Sequence, residues 1–191
     1  YKKVSGSNTV LATTTYNSTN NKWFRIRESG GTTYFDTSAN GTSWSNFTST
    51  ANAFAVTGLV IGSEAGSWST ESSTTAAVFD NFNYATAPAA TLTDDWSTGS
   101  IDSGKWGNWG GSQVAVASQQ LTMTSTLGGG YYGLDSGVTG KVYDLTGSSI
   151  VNKLENAGNQ SLSSWEVYPI YAYVSGNSST QYFWYLSENT L

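Results

Sequence analysis

The chain has 191 residues, 38% of them hydrophobic and 14% aromatic, with 8 Trp and 12 Tyr, so there is material for one large β domain or two small ones despite only 11% charged residues. A formal charge of -5 with 8 Lys and Arg leaves no basic stripe to neutralise phosphates, which excludes nucleic acid as an expected partner. The absence of Cys and His removes disulfides, thiolate nucleophiles, Cys-based zinc sites and the usual proton shuttle, and with them most hydrolase mechanisms.

No apolar run approaches the roughly 20 residues of a membrane span, so membrane insertion is not expected. A chain rich in Ser, Thr, Asn and Gly with only 2 Pro has the profile of strands with solvated polar faces joined by tight turns. From the N-terminal side, "WFRIRE" (23–28), "TTYFDTS" (32–38) and "TSWSNFTS" (42–49) predict a three-strand meander. Gly30-Gly31 and Asn40-Gly41 are expected to form its two tight turns, because a type I′ turn needs positive φ at both central residues. "FAVTGLVIGS" (54–63) and "TAAVFDNFNY" (75–84) are apolar enough for interior strands, and the polar "EAGSWSTESST" (64–74) between them reads as a loop.

In the second half, "QVAVAS" and "QLTMTST" alternate around Ser118-Gln119 as a compact hairpin. "SSIVNKLENAG", "SWEVYPIYAYVS" and "TQYFWYLSENTL" predict three further strands. Strict alternation in the middle one puts Trp165, Val167, Pro169, Tyr171 and Tyr173 on one face and Glu166, Tyr168, Ile170, Ala172 and Val174 on the other. Pro169 predicts an edge position or a bulge, since proline cannot donate to a ladder. No segment has a useful helical period, and about a dozen strands in two packed antiparallel sheets is the simplest all-β architecture.

Several stretches are similar to one family. "DDWSTGSIDSGKW" (94–106) resembles the opening strand and turn of concanavalin A-like, laminin-G-like jelly-roll modules. "WFRIRESGGTTYFDTSANGTSW" resembles their central meander, and "GLVIGS" with "AVFDNF" their closing strands. The resemblance implies a two-sheet jelly-roll sandwich, but here the closing strands precede the opening one. Residues 1–84 would be the C-terminal half of a module, 85–93 a linker, and 94–191 an N-terminal half. Such a chain is either circularly permuted and closed on itself or completed by strand exchange with a neighbouring copy in a tandem array. Its linker, at most about 30 Å long when extended, permits both.

The resemblance includes glucanases, whose carboxylates stand at alternate positions of one strand; no such Glu-x-Asp-x-x-Glu run occurs here, and the chain is expected to be non-enzymatic. Glu166, set in an aromatic strand, is expected to pair with a Tyr hydroxyl. Trp165, Tyr171, Tyr173, Tyr182 and Trp184 are candidates to stack on pyranose rings, each with a core position as its alternative. Trp68, in the Ser-rich stretch, is a further glycan-binding candidate and the best one for an exposed aromatic. The family also implies a possible structural Ca²⁺, for which Asp80, Asn81, Asp94 and Asp95 are the candidate ligands if first and last strands pair; the alternative is that Asp94 and Asp95 cap a turn. Arg25 and Arg27 are expected to pair with Asp36 or Glu28 or to stack on aromatic rings. The expected role is a structural or adhesive repeat module of an extracellular surface or fibre protein, with neighbouring copies and possibly glycans as partners. A phage tail or capsid-decoration module is the alternative, and a glycoside hydrolase a distant third.

Overall fold

The computed structural model describes residues 1–82, 92–187 and 190. Tyr84, most of the expected linker (85–91) and Glu188 lie outside the described residues. In the first half, β1 (Lys2–Val4) and β2 (Ser7–Thr9) make a short hairpin. The meander follows as β3 (Trp23–Ser29), β4 (Thr32–Ser38) and β5 (Ser45–Ala51), then β6 (Leu59–Ser67) and β7 (Ala76–Asp80). The second half holds β8 (Gly107–Asn108), β9 (Val114–Ala117), β10 (Gln120–Thr124), β11 (Gly130–Asp135) and β12 (Ser149–Asn156). It ends with β13 (Trp165–Val174), β14 (Asn177–Phe183) and β15 (Leu186–Ser187). A single 3-10 turn, Gly111–Gln113, is the only helical piece among the described residues. No helix among them is long and apolar enough to cross a membrane.

The strands form two antiparallel sheets stacked as a sandwich. One runs β2-β1-β14-β13-β6-β11-β8, with β15 paired to β13; the other runs β5-β4-β3-β12-β7-β10-β9. The halves of the chain interleave in both: β6 lies between β13 and β11, and β12 lies between β3 and β7. A bridge between Phe82 and Asp94 brings the last strand of the first half against the start of the second. Each sheet thus takes strands from both halves, and neither half supplies a complete sheet.

Turn chemistry explains most of the local pairing. Gly30 and Gly31 have φ of 59° and 80°, and Ser118 and Gln119 have φ of 52° and 61°, so both tight hairpins form where expected. Asn40-Gly41 does not make a two-residue turn. Only Gly41 has positive φ, and the connection widens to residues 39–44, held by Asn40 Oδ1 accepting the N–H groups of Thr42 and Ser43. The loop expected from Glu64 onward also starts later, because β6 continues through Glu64 to Ser67, paired on both sides.

Between the sheets lies an aromatic-rich core that includes Phe24, Ile26, Phe35, Phe79, Trp106 and Leu154, all essentially inaccessible to water. Burial of side chains this large stabilises the fold by roughly 1.5–3 kcal/mol each. The largest departure from strict alternation is in β13. Tyr168 pairs with Glu64 of β6 and Tyr171 with Gly62, so three steps on β13 oppose two on β6: a β-bulge at Pro169. Pro169 therefore sits in an interior strand, tolerated by the bulge. Beyond it the faces exchange, and Trp165, Val167, Ile170 and Ala172 all join the core.

The bulge leaves the Pro169 carbonyl inside the sandwich, where it needs donors. Ser63 Oγ of β6 donates to it at 2.7 Å and Asn152 Nδ2 of β12 at 2.8 Å; Asn152 also donates to Ser63 Oγ at 2.9 Å. Asn152 reaches across from the opposite sheet and is buried. Its replacement in Asn152→Ala removes one of the two donors to a buried carbonyl, and equilibrium urea unfolding is expected to show a loss of about 1–3 kcal/mol. A loss under about 0.5 kcal/mol, the scale of an ordinary surface change, would mean the cross-sheet bond does not hold the bulge.

Candidate functional site

The exchange of faces at Pro169 places Glu166, Tyr168, Tyr171 and Tyr173 together on the outer side of the eight-stranded sheet. On the neighbouring β6 the same side presents Gly62, Glu64 and Gly66, and on β11 it presents Tyr131, Gly133 and Asp135, because these residues pair across the ladder. The glycines are required by close approach. A Cβ on Gly62, Gly66 or Gly133 would come within 3.0 Å of Tyr171, Tyr131 and Trp109 respectively. With no side chain beneath them, these rings lie low across the sheet.

Above this floor is a groove of about 320 Å³ lined by Glu64, Trp109, Asp135, Tyr168, Tyr171 and Tyr173, with Lys3, Ser178 and Gln181 at its β1 and β14 side. Trp109, 39% exposed, follows β8 and is anchored by its backbone N–H to Gly133 O at 3.2 Å. Tyr171 and Tyr173 stack with centroids 6.0 Å apart, and Tyr168 meets Tyr131, Tyr185 and Phe183 edgewise or tilted at 5.2–6.4 Å.

Hydroxyl donors in this face converge on two carboxylates. Glu166 accepts from Tyr131, from Tyr168 at 3.1 Å and from Tyr185 at 2.7 Å. The expected pairing of Glu166 with a tyrosine is thus met three times over. Asp135 accepts the N–H groups of Gly137 and Val138 on Oδ1 and, more weakly, the hydroxyls of Tyr171 and Tyr173 at 3.4 Å on Oδ2. Burial, reinforced by the nearby carboxylates, pushes the hydroxyls of Tyr131, Tyr168 and Tyr171 well above the ordinary tyrosine range and that of Tyr173 up to about 12. They remain protonated donors at any physiological pH.

Glu64 stands between these groups and, among the described residues, receives no hydrogen bond or ion pair. Burial first, then the charges of Glu166 and Asp135, push its carboxyl up to about 7, with Lys3 pulling weakly the other way. The arrangement is an aromatic groove around one carboxylate whose bonding capacity is uncommitted.

Of the aromatic candidates, Tyr171 and Tyr173 belong to this groove. Trp165, Tyr182 and Trp184 do not: all three are buried between the sheets. Their polar atoms are committed there, Trp165 Nε1 to Ala157 O at 2.7 Å, Trp184 Nε1 to Arg25 O at 3.2 Å, and Tyr182 Oη accepting the Ala53 N–H at 2.8 Å. Trp165 loses its expected place beside Tyr171 and Tyr173 because the bulge separates their faces. Trp68 is 66% exposed, one residue beyond the end of β6, and does not line the groove.

The four candidate calcium ligands are not gathered into a site. Asp94 is buried, with Oδ1 accepting the Trp96 N–H at 2.9 Å and Oδ2 accepting Trp106 Nε1–H at 3.0 Å. Asp95 caps the Ser97 N–H at 3.0 Å, and Asp80 faces Lys153 at 3.4 Å. Asn81, at φ 53°, lies between the end of β7 and the Phe82 bridge. Among the described residues no three His, Cys, Asp or Glu side chains are grouped to hold a metal ion. On the other sheet, Arg25 and Arg27 both reach Asp36 at 2.8 Å while lying over Trp44 and Tyr34, so ion pairing and ring stacking occur together.

Trp109, Glu64, Asp135, Lys3 and Tyr168 are groove residues that strand-by-strand reading does not single out. One local signal exists: Gly62-x-Glu64-x-Gly66 has the period of a strand, and paired glycines flanking a charge mark a place where other groups come close to the backbone. No family model matches the chain, and none of the curated proteins matches it.

The raised Glu64 carboxyl has a consequence for stability. Its unfolded value is near 4.3, so between about pH 4 and pH 7 the folded protein binds more protons than the unfolded chain, and stability falls as pH rises through that window. Above it the cost is on the order of 3–4 kcal/mol. Glu64→Gln is expected to raise the melting temperature by several degrees at about pH 8 and to leave it nearly unchanged at about pH 4. Equal shifts at both would show that the carboxyl is not perturbed by its neighbours.

Proposed function

We propose that this chain is a non-catalytic β-sandwich module of an extracellular surface or fibre protein, built of tandem copies, and that it adheres to glycans through the groove on its eight-stranded sheet. The observation that carries the reading is the groove itself. Trp109 offers a half-exposed ring, Tyr168 and Tyr173 flank it, and Glu64, Ser178 and Gln181 supply polar groups spaced around an apolar wall. An amphipathic ring with a polar handle suits a ligand that has an apolar face and a hydroxylated edge. A volume of about 320 Å³ is at the small end of ligand pockets and suits a short stretch of sugar held weakly.

The distribution of hydrogen bonds supports binding rather than hydrolysis. A glycosidase needs two carboxyl groups free to act on one bond. Here Glu166 is occupied by three tyrosines and Asp135 by two backbone N–H groups, which leaves Glu64 alone uncommitted. The tandem, permuted arrangement rests on the resemblance of the opening and closing segments, and the interleaving of both halves in each sheet is what such an arrangement requires.

A glycan array followed by calorimetry tests the reading. At least one oligosaccharide is expected to bind with weak affinity, and Trp109→Ala to weaken it about tenfold or more, the scale of one lost aromatic contact. Trp68→Ala is expected to leave it unchanged. Binding lost in the Trp68 variant and kept in the Trp109 variant would move the site elsewhere; no binding to any glycan would leave a purely structural module.

A further inference from the structure

The charges in the groove are unbalanced in a way that specifies its ligand. Glu64 of β6 and Asp135 of β11 line it, with Glu166 of β13 close enough to act on Glu64, against Lys3 from β1, the one cation among the described lining residues. Five tyrosine hydroxyls are present, and their distribution is uneven: Tyr131, Tyr168 and Tyr185 serve Glu166, while Tyr171 and Tyr173 serve Asp135. None reaches Glu64. An uncommitted carboxylate thus faces a cavity walled by rings, flanked by two more carboxylates whose donors are already assigned.

We infer that the groove selects glycans bearing a protonated amine, the ammonium seating beside Glu64 with Asp135 next to it and the sugar ring against Trp109. This deepens the glycan-binding reading and rests on it. An ammonium brings both of the things Glu64 lacks, N–H donors and positive charge, whereas a neutral sugar hydroxyl brings only a donor. Aromatic faces around the seat attract a cation further. An acetylated amine carries no charge and loses the discrimination.

The coupling has a sign. A cation beside Glu64 favours its ionised form and draws the carboxyl down from about 7. At about pH 6, where Glu64 in the empty groove is mostly protonated, binding therefore releases a proton to the buffer. A neutral sugar produces no such release.

The test is calorimetry at about pH 6 with three β-1,4-linked hexasaccharides, of glucosamine, of N-acetylglucosamine and of glucose, with spermidine as an amine without a sugar. The glucosamine hexamer is expected to bind about tenfold or more tighter than the other two sugars, with heats that differ between buffers of different ionisation enthalpy. Glu64→Gln is expected to reduce that preference to within about threefold and abolish the buffer dependence, while its melting curve shows it folded. Equal binding of all three sugars overturns the amine inference and leaves the glycan reading standing. Preference retained in the Glu64 variant overturns the role of Glu64, and spermidine binding as tightly as the glucosamine hexamer overturns the part of the sugar. If none of the sugars binds and the array is also blank, both readings fail together.

Discussion

A single extra residue in β13 decides what this sheet shows to solvent. Proline cannot donate to a ladder, and β13 accommodates Pro169 by bulging between β14 and β6. The carbonyl this turns inward is satisfied by Ser63 from the same sheet and Asn152 from the opposite one, so the bulge is tied to both layers of the sandwich. Because side chains alternate with a period of two, one inserted residue exchanges the faces. Without it, Tyr171 and Tyr173 would point into the core and Ile170 and Ala172 out of it.

The outer face that results is stable only through compensation. Three carboxylates brought onto neighbouring strands repel one another and lose hydration, and the tyrosines around them offset this by donating hydrogen bonds to two of the three. The glycines of β6 and β11 lower the rings onto the sheet, deepening the burial that raises the tyrosine hydroxyls and Glu64 together. Glu64 keeps the unfavourable remainder: it is set among charges of its own sign with no donor of its own. A position that costs stability in the empty protein is one where a ligand of opposite charge gains most.

Much of the architecture was legible in the sequence because it depends on neighbours along the chain. Gly30-Gly31, Ser118-Gln119 and the alternation of "WFRIRE" and "TTYFDTS" are local, and the hairpins follow from them. Asn40-Gly41 misleads because its side chain caps a wider loop. The two-sheet sandwich follows from strand count and composition, while the cross-sheet bond from Asn152 to Pro169 joins residues with no sequence pattern in common. The site was far less legible. Glu64, Asp135 and Glu166 are spread across half the chain and meet only through the register of β6 with β11 and β13. Proline announced the bulge, but only the pairing shows that it exchanges the faces, and so Trp165 reads as a neighbour of Tyr171 when it lies in the core. Trp184 and Tyr182 show the general difficulty: a sandwich needs large aromatics inside, and composition does not say which ones remain outside.

A crystal structure of the protein with a bound oligosaccharide shows directly whether the sugar sits in the groove over β6, β11 and β13. A sugar ring is expected against the indole of Trp109, with a polar group of the ligand within hydrogen-bond distance of Glu64 and the glycine floor unmoved. A ligand on Trp68, on the Arg25 and Arg27 side of the seven-stranded sheet, or a groove closed by its own tyrosines would contradict that placement.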